Sequence, residues 1–147
     1  MREIILISFL GPDQPNQFTR LMQVLSAHSL QILDVGQAVI HNQLTLGIVV
    51  ASEDQTATAL AMKEMLILAH DIGLTVRFKP ISATEYEQWV KEGGRTRYIV
   101  TALAPELNAS HLQAVTHIVS SQGFNIETVT RLSGRPERHG QQDEPTR

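Results

Sequence analysis

The loop Gly11-Pro12-Asp13-Gln14-Pro15 is the segment of the sequence best suited to hold a small charged molecule. It joins an aliphatic run, Glu3 to Leu10, to a segment whose apolar residues follow helical spacing from Asn16 onward. Backbone N–H groups and the positive end of the helix dipole at such a junction favour a carboxylate or phosphate, and the Asp13 carboxylate can receive an ammonium group. Together these groups suit the zwitterion of a free amino acid.

Two polar residues of the next predicted strand, Gln31 and Asp34, are expected beside the same helix end. An alternative interpretation is that Asp13 only caps the first helix and that the prolines only end the strand. The amino-acid hypothesis predicts seven ligand-binding residues: Gly11, Pro12, Asp13, Gln14, Asn16, Gln31 and Asp34.

Residue patterns that carry catalysis or hold metals are missing from the sequence. The chain has no cysteine, and none of its six histidines is three or four residues from another. It also lacks a Gly-x-Ser-x-Gly elbow, a phosphate-binding loop ending in Gly-Lys-Ser/Thr, and His-Glu-x-x-His. These observations predict no catalytic residues, no metal site and no cofactor in this chain, so an enzyme complete in these residues is the least favoured interpretation.

The amino-acid composition excludes further classes of binding partner. The 147 residues include 12 Lys and Arg against 15 Asp and Glu, a net charge of −3, which is unlike a strongly basic nucleic-acid binder. No apolar run approaches the ~20 residues that span a bilayer, and Met1-Arg2-Glu3 does not resemble a signal peptide. We expect a cytoplasmic protein that binds neither nucleic acid nor membranes.

Residues 1–81 predict one domain with the element order β-α-β-β-α-β. The first helix is expected to carry Pro15 in its first turn, and the second to be capped by Thr56 and to end at Gly73. The order is that of a ferredoxin-like α+β sandwich, with both helices on one face of an antiparallel sheet in the order 4-1-3-2. The predicted strands span residues 3–10, 31–40, 44–51 and 74–78.

The second half of the chain repeats the first half in part. A capping-box pattern that starts at Ser82 predicts a linker helix within residues 82–95. With a constant offset of 94 residues, apolar positions then recur in residues 96–134, which predicts a second, partial βαβ unit. Its unpaired strands are expected to recruit another chain. The polar residues 135–147 predict a disordered tail. The matched pairs are Ile4 with Tyr98, Leu25 with Val119, Leu30 with Phe124, Ile32 with Ile126 and Val35 with Val129.

Several separated segments resemble, in the right order, the N-terminal regulatory region of bacterial phosphoserine phosphatases. In that family two ACT domains precede a catalytic domain of the haloacid-dehalogenase type. The resemblance covers nearly all of residues 1–135, with Asn16 and Gln31 where the family usually has Gly and Asn. The segments that carry it are 11–15, 32–40, 74–78 and 131–135.

The resemblance implies a regulatory module that binds a small amino acid, L-serine or glycine, and that forms a homodimer. It also implies a role in serine biosynthesis. The family's catalytic Asp-x-Asp-x-Thr segment is absent, since no Asp-x-Asp occurs in the chain. Phosphatase activity and its Mg²⁺ therefore belong to a catalytic domain outside these residues. The alternative of a different class is a stand-alone ACT-domain interaction protein or transcriptional regulator of amino-acid metabolism.

Overall fold

A computed structural model describes residues 2–93 and 96–132, and the predicted tail lies outside these residues. The chain divides into two compact units, residues 1–96 and 97–147, which we describe separately. None of the described helices is long and apolar enough to cross a membrane. The elements are β1 (Glu3–Pro12), α1 (Gln17–Ala27), β2 (Gln31–Ile40), β3 (Gln43–Ser52), α2 (Gln55–Asp71), β4 (Thr75–Ile81), α3 (Ala83–Glu92) and α4 (Ala109–Ser121).

The first unit contains a four-stranded antiparallel sheet in the order β2-β3-β1-β4, which confirms the predicted topology. β2 and β3 are joined by the two-residue turn His41-Asn42. Both turn residues have positive φ, 48° and 61°, as a tight hairpin turn requires because its twist must match that of the strands. A β-bulge between Ile32 and Asp34 interrupts the ladder of β2.

Helices α1 and α2 cover one face of this sheet. Ile7 pairs with Ile48 and Phe9 pairs with Leu46, so these four side chains point to the same side. They form one buried cluster with residues of both helices, and β2 contributes none of its members. The cluster contains Ile7, Phe9, Leu21, Leu25, Leu30, Leu44, Leu46, Ile48, Val50, Ala61, Met65, Ala69, Ile72 and Leu74.

Two details of the predicted helix starts are wrong. Asp54, not Thr56, caps α2, because its carboxylate accepts hydrogen bonds from the backbone N–H groups of Thr56 and Ala57 at 2.9 and 3.1 Å. Pro15 precedes α1 instead of lying in its first turn, because the loop needs Asn16 in a left-handed conformation before the helix begins at Gln17. The predicted helix end at Gly73 is confirmed, since that residue has a φ of 78°.

The linker helix is confirmed at α3, and Ser82 and Glu85 form the predicted capping box. In the second unit the predicted helix is α4. The segments on either side of it, predicted as strands, are not in strands anywhere in residues 96–132. In the first unit the corresponding strands β1 and β2 are not neighbours, because β3 lies between them. None of residues 96–132 supplies a strand in that place, so these residues offer the two segments no ladder to join. The assignment of 96–134 to a partial ACT domain stays a prediction.

Candidate functional site

The loop between β1 and α1 is held in shape by Gln17, a buried polar residue that the sequence analysis did not single out. Its side-chain Oε1 accepts a hydrogen bond from the backbone N–H of Gln14 at 2.9 Å. Its Nε2 donates to the carbonyl oxygens of Pro12 at 3.0 Å and Ile72 at 3.4 Å. The sequence signal for this role is a polar residue three positions after Gln14, at the first position of a helix. With this spacing a side chain can reach back to a backbone N–H group, as it does in a capping box.

Gly11 has to be a glycine because another backbone segment comes very close to it. A Cβ atom at this position would lie 2.7 Å from the carbonyl oxygen of Gly73 and 2.9 Å from the side chain of Leu74. The end of β1 is therefore packed against the segment that joins α2 to β4, which fixes the start of the loop.

The rest of the loop is exposed, and the first turn of α1 has no side-chain cap. Asp13, Gln14, Pro15 and Asn16 are all exposed to solvent. Asn16, the residue before the helix, has a φ of 66° and makes no capping hydrogen bond. Asparagine tolerates this conformation better than other non-glycine residues, so it can occupy a position that otherwise favours glycine. Asp13 does not cap α1 either, so that interpretation of Asp13 is wrong.

The backbone N–H of Asp13 donates a hydrogen bond to the carbonyl oxygen of Asn42 at 2.8 Å. Asn42 lies in the turn of the β2–β3 hairpin. This bond holds the loop against the tip of the β2–β3 hairpin. In the sheet order, this hairpin lies between β1 and the edge that β2 forms. No sequence signal pointed to Asn42, because the contact joins residues far apart in the chain.

Gln31 and Asp34 do not lie beside this loop in the same chain. Through β3, Gln31 is level with Ile4 and Pro12 is level with Ile40. Ile4 and Pro12 are eight positions apart on β1, which corresponds to about 27 Å along the strand. Within one chain, the expectation that Gln31 and Asp34 lie beside the start of α1 is wrong, because a helical crossover returns the chain to the end of the sheet where β1 began.

At that opposite end Gln31 belongs to a second polar surface. The guanidinium of Arg2 donates a hydrogen bond to Oε1 of Gln31 at 2.9 Å. Ser29, Ser52 and Glu53 line the same open groove. Asp34 lies further along β2, where its carboxylate accepts a hydrogen bond from the N–H of Val35 at 3.0 Å.

The outer edge of β2 is free of any pairing within the described chain, and its apolar side chains are exposed. β2 pairs only with β3, and Val35 keeps 46% of its surface accessible. Ile32, Val39 and Ile40 are similarly exposed or more so. An exposed apolar strand with unpaired N–H and C=O groups is a surface that a second chain can extend. No group of acidic and histidine side chains suited to a metal ion occurs among the described residues.

A family model described as the ACT domain matches residues 3–79. Phosphoserine phosphatase SerB2 of Mycobacterium tuberculosis is 29% identical over 133 residues, which are 90% of this chain and 31% of that protein. The chain therefore spans about a third of the length of this curated relative.

Two solved structures share the fold at low sequence identity. A protein of unknown function from Galdieria sulphuraria has a TM-score of 0.57 and 11% identity, covering 84% of this chain and 66% of the other. A protein described as a candidate transcriptional repressor of the glycine cleavage system has a TM-score of 0.53 and 16% identity, covering 56% of this chain and 47% of the other.

Proposed function

Because the chain belongs to the ACT domain family, we propose that it is a regulatory module that binds a small amino acid between two copies of its first domain. The proposed effector is L-serine before glycine, and the proposed setting is a phosphoserine phosphatase-like protein of serine biosynthesis. Support for that setting is the similarity to SerB2 over 90% of this chain. Catalysis would belong to the part of such a protein that these residues do not cover.

The observation that carries the proposal is the position of the exposed loop at the tip of the β2–β3 hairpin. The hydrogen bond from Asp13 to Asn42 puts the loop at the end of the sheet where β2 finishes. The first turn of α1 there has no side-chain cap, so its N–H groups are suited to the carboxylate of an amino acid. The carboxylate of Asp13 is a candidate partner for the ammonium group.

A second copy of the chain can bring Gln31 close to Asp13, although the two residues lie far apart within one chain. If the β2 strands of two copies pair antiparallel across a two-fold axis, the start of each β2 lies beside the end of the other. Gln31 of the second copy then reaches the same end of the sheet as Asp13 of the first, together with Arg2, to which Gln31 is hydrogen-bonded. Asp34 follows on the same strand, three residues further from that end.

This arrangement also covers the exposed side chains of β2. Val35 and its apolar neighbours on β2 would be buried by the pairing, and the free backbone groups of the edge would enter a continuous ladder. Dimerisation and effector binding are thus one event at one interface, and an amino acid there stabilises the dimer by binding both copies.

Calorimetric titration of the full chain with L-serine, glycine and L-alanine tests the proposal. We expect L-serine to bind and to raise the melting temperature by several degrees at a hundredfold excess over Kd, since that excess contributes about 2.7 kcal/mol. Asp13→Asn should abolish the shift, because it removes the charge and keeps the backbone bond to Asn42.

Glu87→Gln is the matched control, because it removes one exposed carboxylate from α3. This helix follows β4, which ends where Ile81 pairs with Ile4, at the end of the sheet opposite the loop. This variant should bind L-serine like the unchanged chain. If none of the three amino acids gives heat or a melting shift at millimolar concentration, the loop is a structural connection and the proposal is wrong.

A further inference from the structure

The outward face of α2 is apolar, although the outward face of a surface helix is typically polar. Within residues 59–69, only Lys63 and Glu64 have polar side chains. Leu60 and Ile67, which point away from the core, keep 48% and 54% of their surfaces accessible. A helix that is apolar on all sides is typical of one that is covered on all sides.

Helix α1 covers the same face of the sheet and provides an internal comparison. Its exposed positions are mainly polar, and they include Thr19, Arg20, Gln23 and Ser26. Both helices supply residues to the same core, so α1 shows the ordinary pattern of a solvent-exposed helix in this layer. The difference between the two helices indicates that a further protein surface covers the outward face of α2.

The order of residues on this face is self-complementary. Leu60, Lys63, Glu64 and Ile67 are at positions i, i+3, i+4 and i+7 of α2, so they share one face. We call these four residues the α2 stripe. Two stripes can lie antiparallel about a two-fold axis that passes between Lys63 and Glu64. Leu60 of each copy then faces Ile67 of the other, and Lys63 of each copy faces Glu64 of the other.

We propose that the α2 stripe is an interface between two copies of this chain, in which the α2 helices pack antiparallel. Its charges favour a second copy in this orientation, because parallel helices would place Lys63 beside Lys63 and Glu64 beside Glu64. A membrane surface is a poorer match. Glu64 lies in the centre of the stripe, and the chain has a net charge of −3, whereas membrane-binding helices are typically basic.

Glu64 is held in position by a residue of its own chain. Nε2 of His28, at the end of α1, lies 3.0 Å from Oε2 of Glu64. This contact uses one carboxylate oxygen, and the Glu64 side chain keeps 53% of its surface accessible. A carboxylate has a second oxygen that can accept, so Glu64 can contact His28 and an ammonium group of the second copy at the same time.

The interface is small and separate from the proposed effector site. Each copy contributes two large apolar side chains and one charge of each sign, so we expect association at micromolar or higher concentrations. The stripe contains none of the residues that the proposed effector site uses, and the inference does not rest on the proposed function. In a chain that also pairs through β2, the α2 stripe would join two such dimers.

The test uses the variant Val35→Asp, so that pairing through the β2 edge does not contribute. Val35 is exposed on β2 and is not a member of the buried cluster, so the substitution places a charge on the edge without disturbing the core. We expect this variant to show a monomer–dimer equilibrium in sedimentation equilibrium experiments. In the same background, Ile67→Asp should raise the dissociation constant on the order of a hundredfold, because two charges would be buried against Leu60.

Charge reversal tests the electrostatic part of the interface. Lys63→Glu should raise the dissociation constant about tenfold or more, because both symmetry-related contacts become repulsive. Lys79→Glu is the matched control. Phe78 packs against the core, so Lys79, the next residue of β4, points to the opposite face of the sheet, and its reversal should change the constant less than about threefold.

Mixing two charge variants tests the pairing directly. Lys63→Glu and Glu64→Lys chains each place like charges together when they self-associate. In a mixed dimer, both contacts join a glutamate to a lysine, so the mixture should associate about as tightly as the Val35→Asp parent. This recovery also shows that neither variant is merely misfolded, and circular dichroism of each chain should match that of the parent.

Single cysteines report the orientation of the helices, since the chain contains no cysteine of its own. Leu60→Cys and Ile67→Cys chains, mixed under oxidising conditions, should form the mixed disulfide in large excess over either symmetrical one. In an antiparallel pair the two copies of position 60 are offset by about seven residues, roughly 10 Å along the axis, which is farther than a disulfide spans.

Three results would overturn the inference. One is a Val35→Asp chain that stays monomeric at every concentration up to the millimolar range. Another is a mixture of the Lys63→Glu and Glu64→Lys chains that associates no more tightly than either chain alone. The third is a Leu60→Cys chain that cross-links to itself as readily as to Ile67→Cys.

Discussion

The two units of the chain start from the same sequence pattern and reach different structures. In the first, β1, α1 and β2 belong to a four-stranded sheet, and Phe9 is buried. In the second, the helix and its end recur, but the flanking segments are not in strands and Leu103 is exposed. A helix and its ends are thus determined by nearby residues, whereas a strand needs a partner from elsewhere.

The largest expected difference is in the cost of truncating equivalent side chains. Phe9→Ala should destabilise the first unit by about 3–5 kcal/mol, because it leaves a cavity in a closed core. Leu103→Ala should cost less than about 0.5 kcal/mol in dilute, monomeric protein, because that side chain is already exposed. Urea unfolding followed by circular dichroism measures both. Equal costs in the monomer would mean that Leu103 is packed and that the comparison fails.

A second contrast concerns two glycines of the first unit. Gly11→Ala should cost about 1–3 kcal/mol, because its Cβ would meet the carbonyl oxygen of Gly73 at 2.7 Å and one backbone segment must move. Gly36→Ala is the control, since no atom lies within 4 Å of the added methyl group. Urea midpoints of the two variants should differ clearly. If they coincide, the loop is not fixed by this close approach.

Two equivalent residues near the starts of α1 and α4 give a smaller contrast. Gln17 and His111 are equivalent by the offset of 94, and each side chain accepts a hydrogen bond from the N–H three residues earlier, at 2.9 and 3.4 Å. Gln17 is buried and makes two further bonds, so Gln17→Ala should cost about 1–3 kcal/mol.

His111→Ala is the paired variant in the second unit. Because His111 is exposed, its substitution should cost less than about 0.5 kcal/mol. Thermal unfolding of the two variants compares them directly. A cost for His111 as large as that for Gln17 would show that the start of α4 is also anchored to a core.

The smallest expected effect is a gain in the stability of the first unit. Ser29 has a φ of 55°, a conformation that Gly123 occupies at the equivalent place with 81°. Ser29→Gly should therefore stabilise the first unit by up to about 1 kcal/mol, because it removes the strain of a Cβ in the left-handed region. A differential melting curve would detect it. A loss of stability instead would mean that the hydroxyl or the Cβ of Ser29 contributes more than the strain costs.

Much of the fold followed from the sequence because periodicity and turn residues are local signals. The strands, the helices and their order in the first unit were predictable from aliphatic runs, Gly73 and the Ser82 capping box. The roles of Gln17 and Asn42 were not, since they depend on contacts between distant parts of the chain. The separation of Gln31 from Asp13 could have been predicted from the topology. A strand that follows a crossover helix starts at the end of the sheet opposite to the end where the preceding strand finished.

The most direct test of a binding site shared between copies is a mixing experiment with two inactive variants. Asp13→Asn breaks the loop side of the proposed site, and Gln31→Ala breaks the side that a second copy supplies. Neither variant alone should bind L-serine in a calorimetric titration. Their mixed dimer contains one site with both residues intact, so mixing after dissociation should restore binding at up to one L-serine per mixed dimer. If the mixture stays as inactive as its components while the unchanged chain binds, the site is not shared between chains.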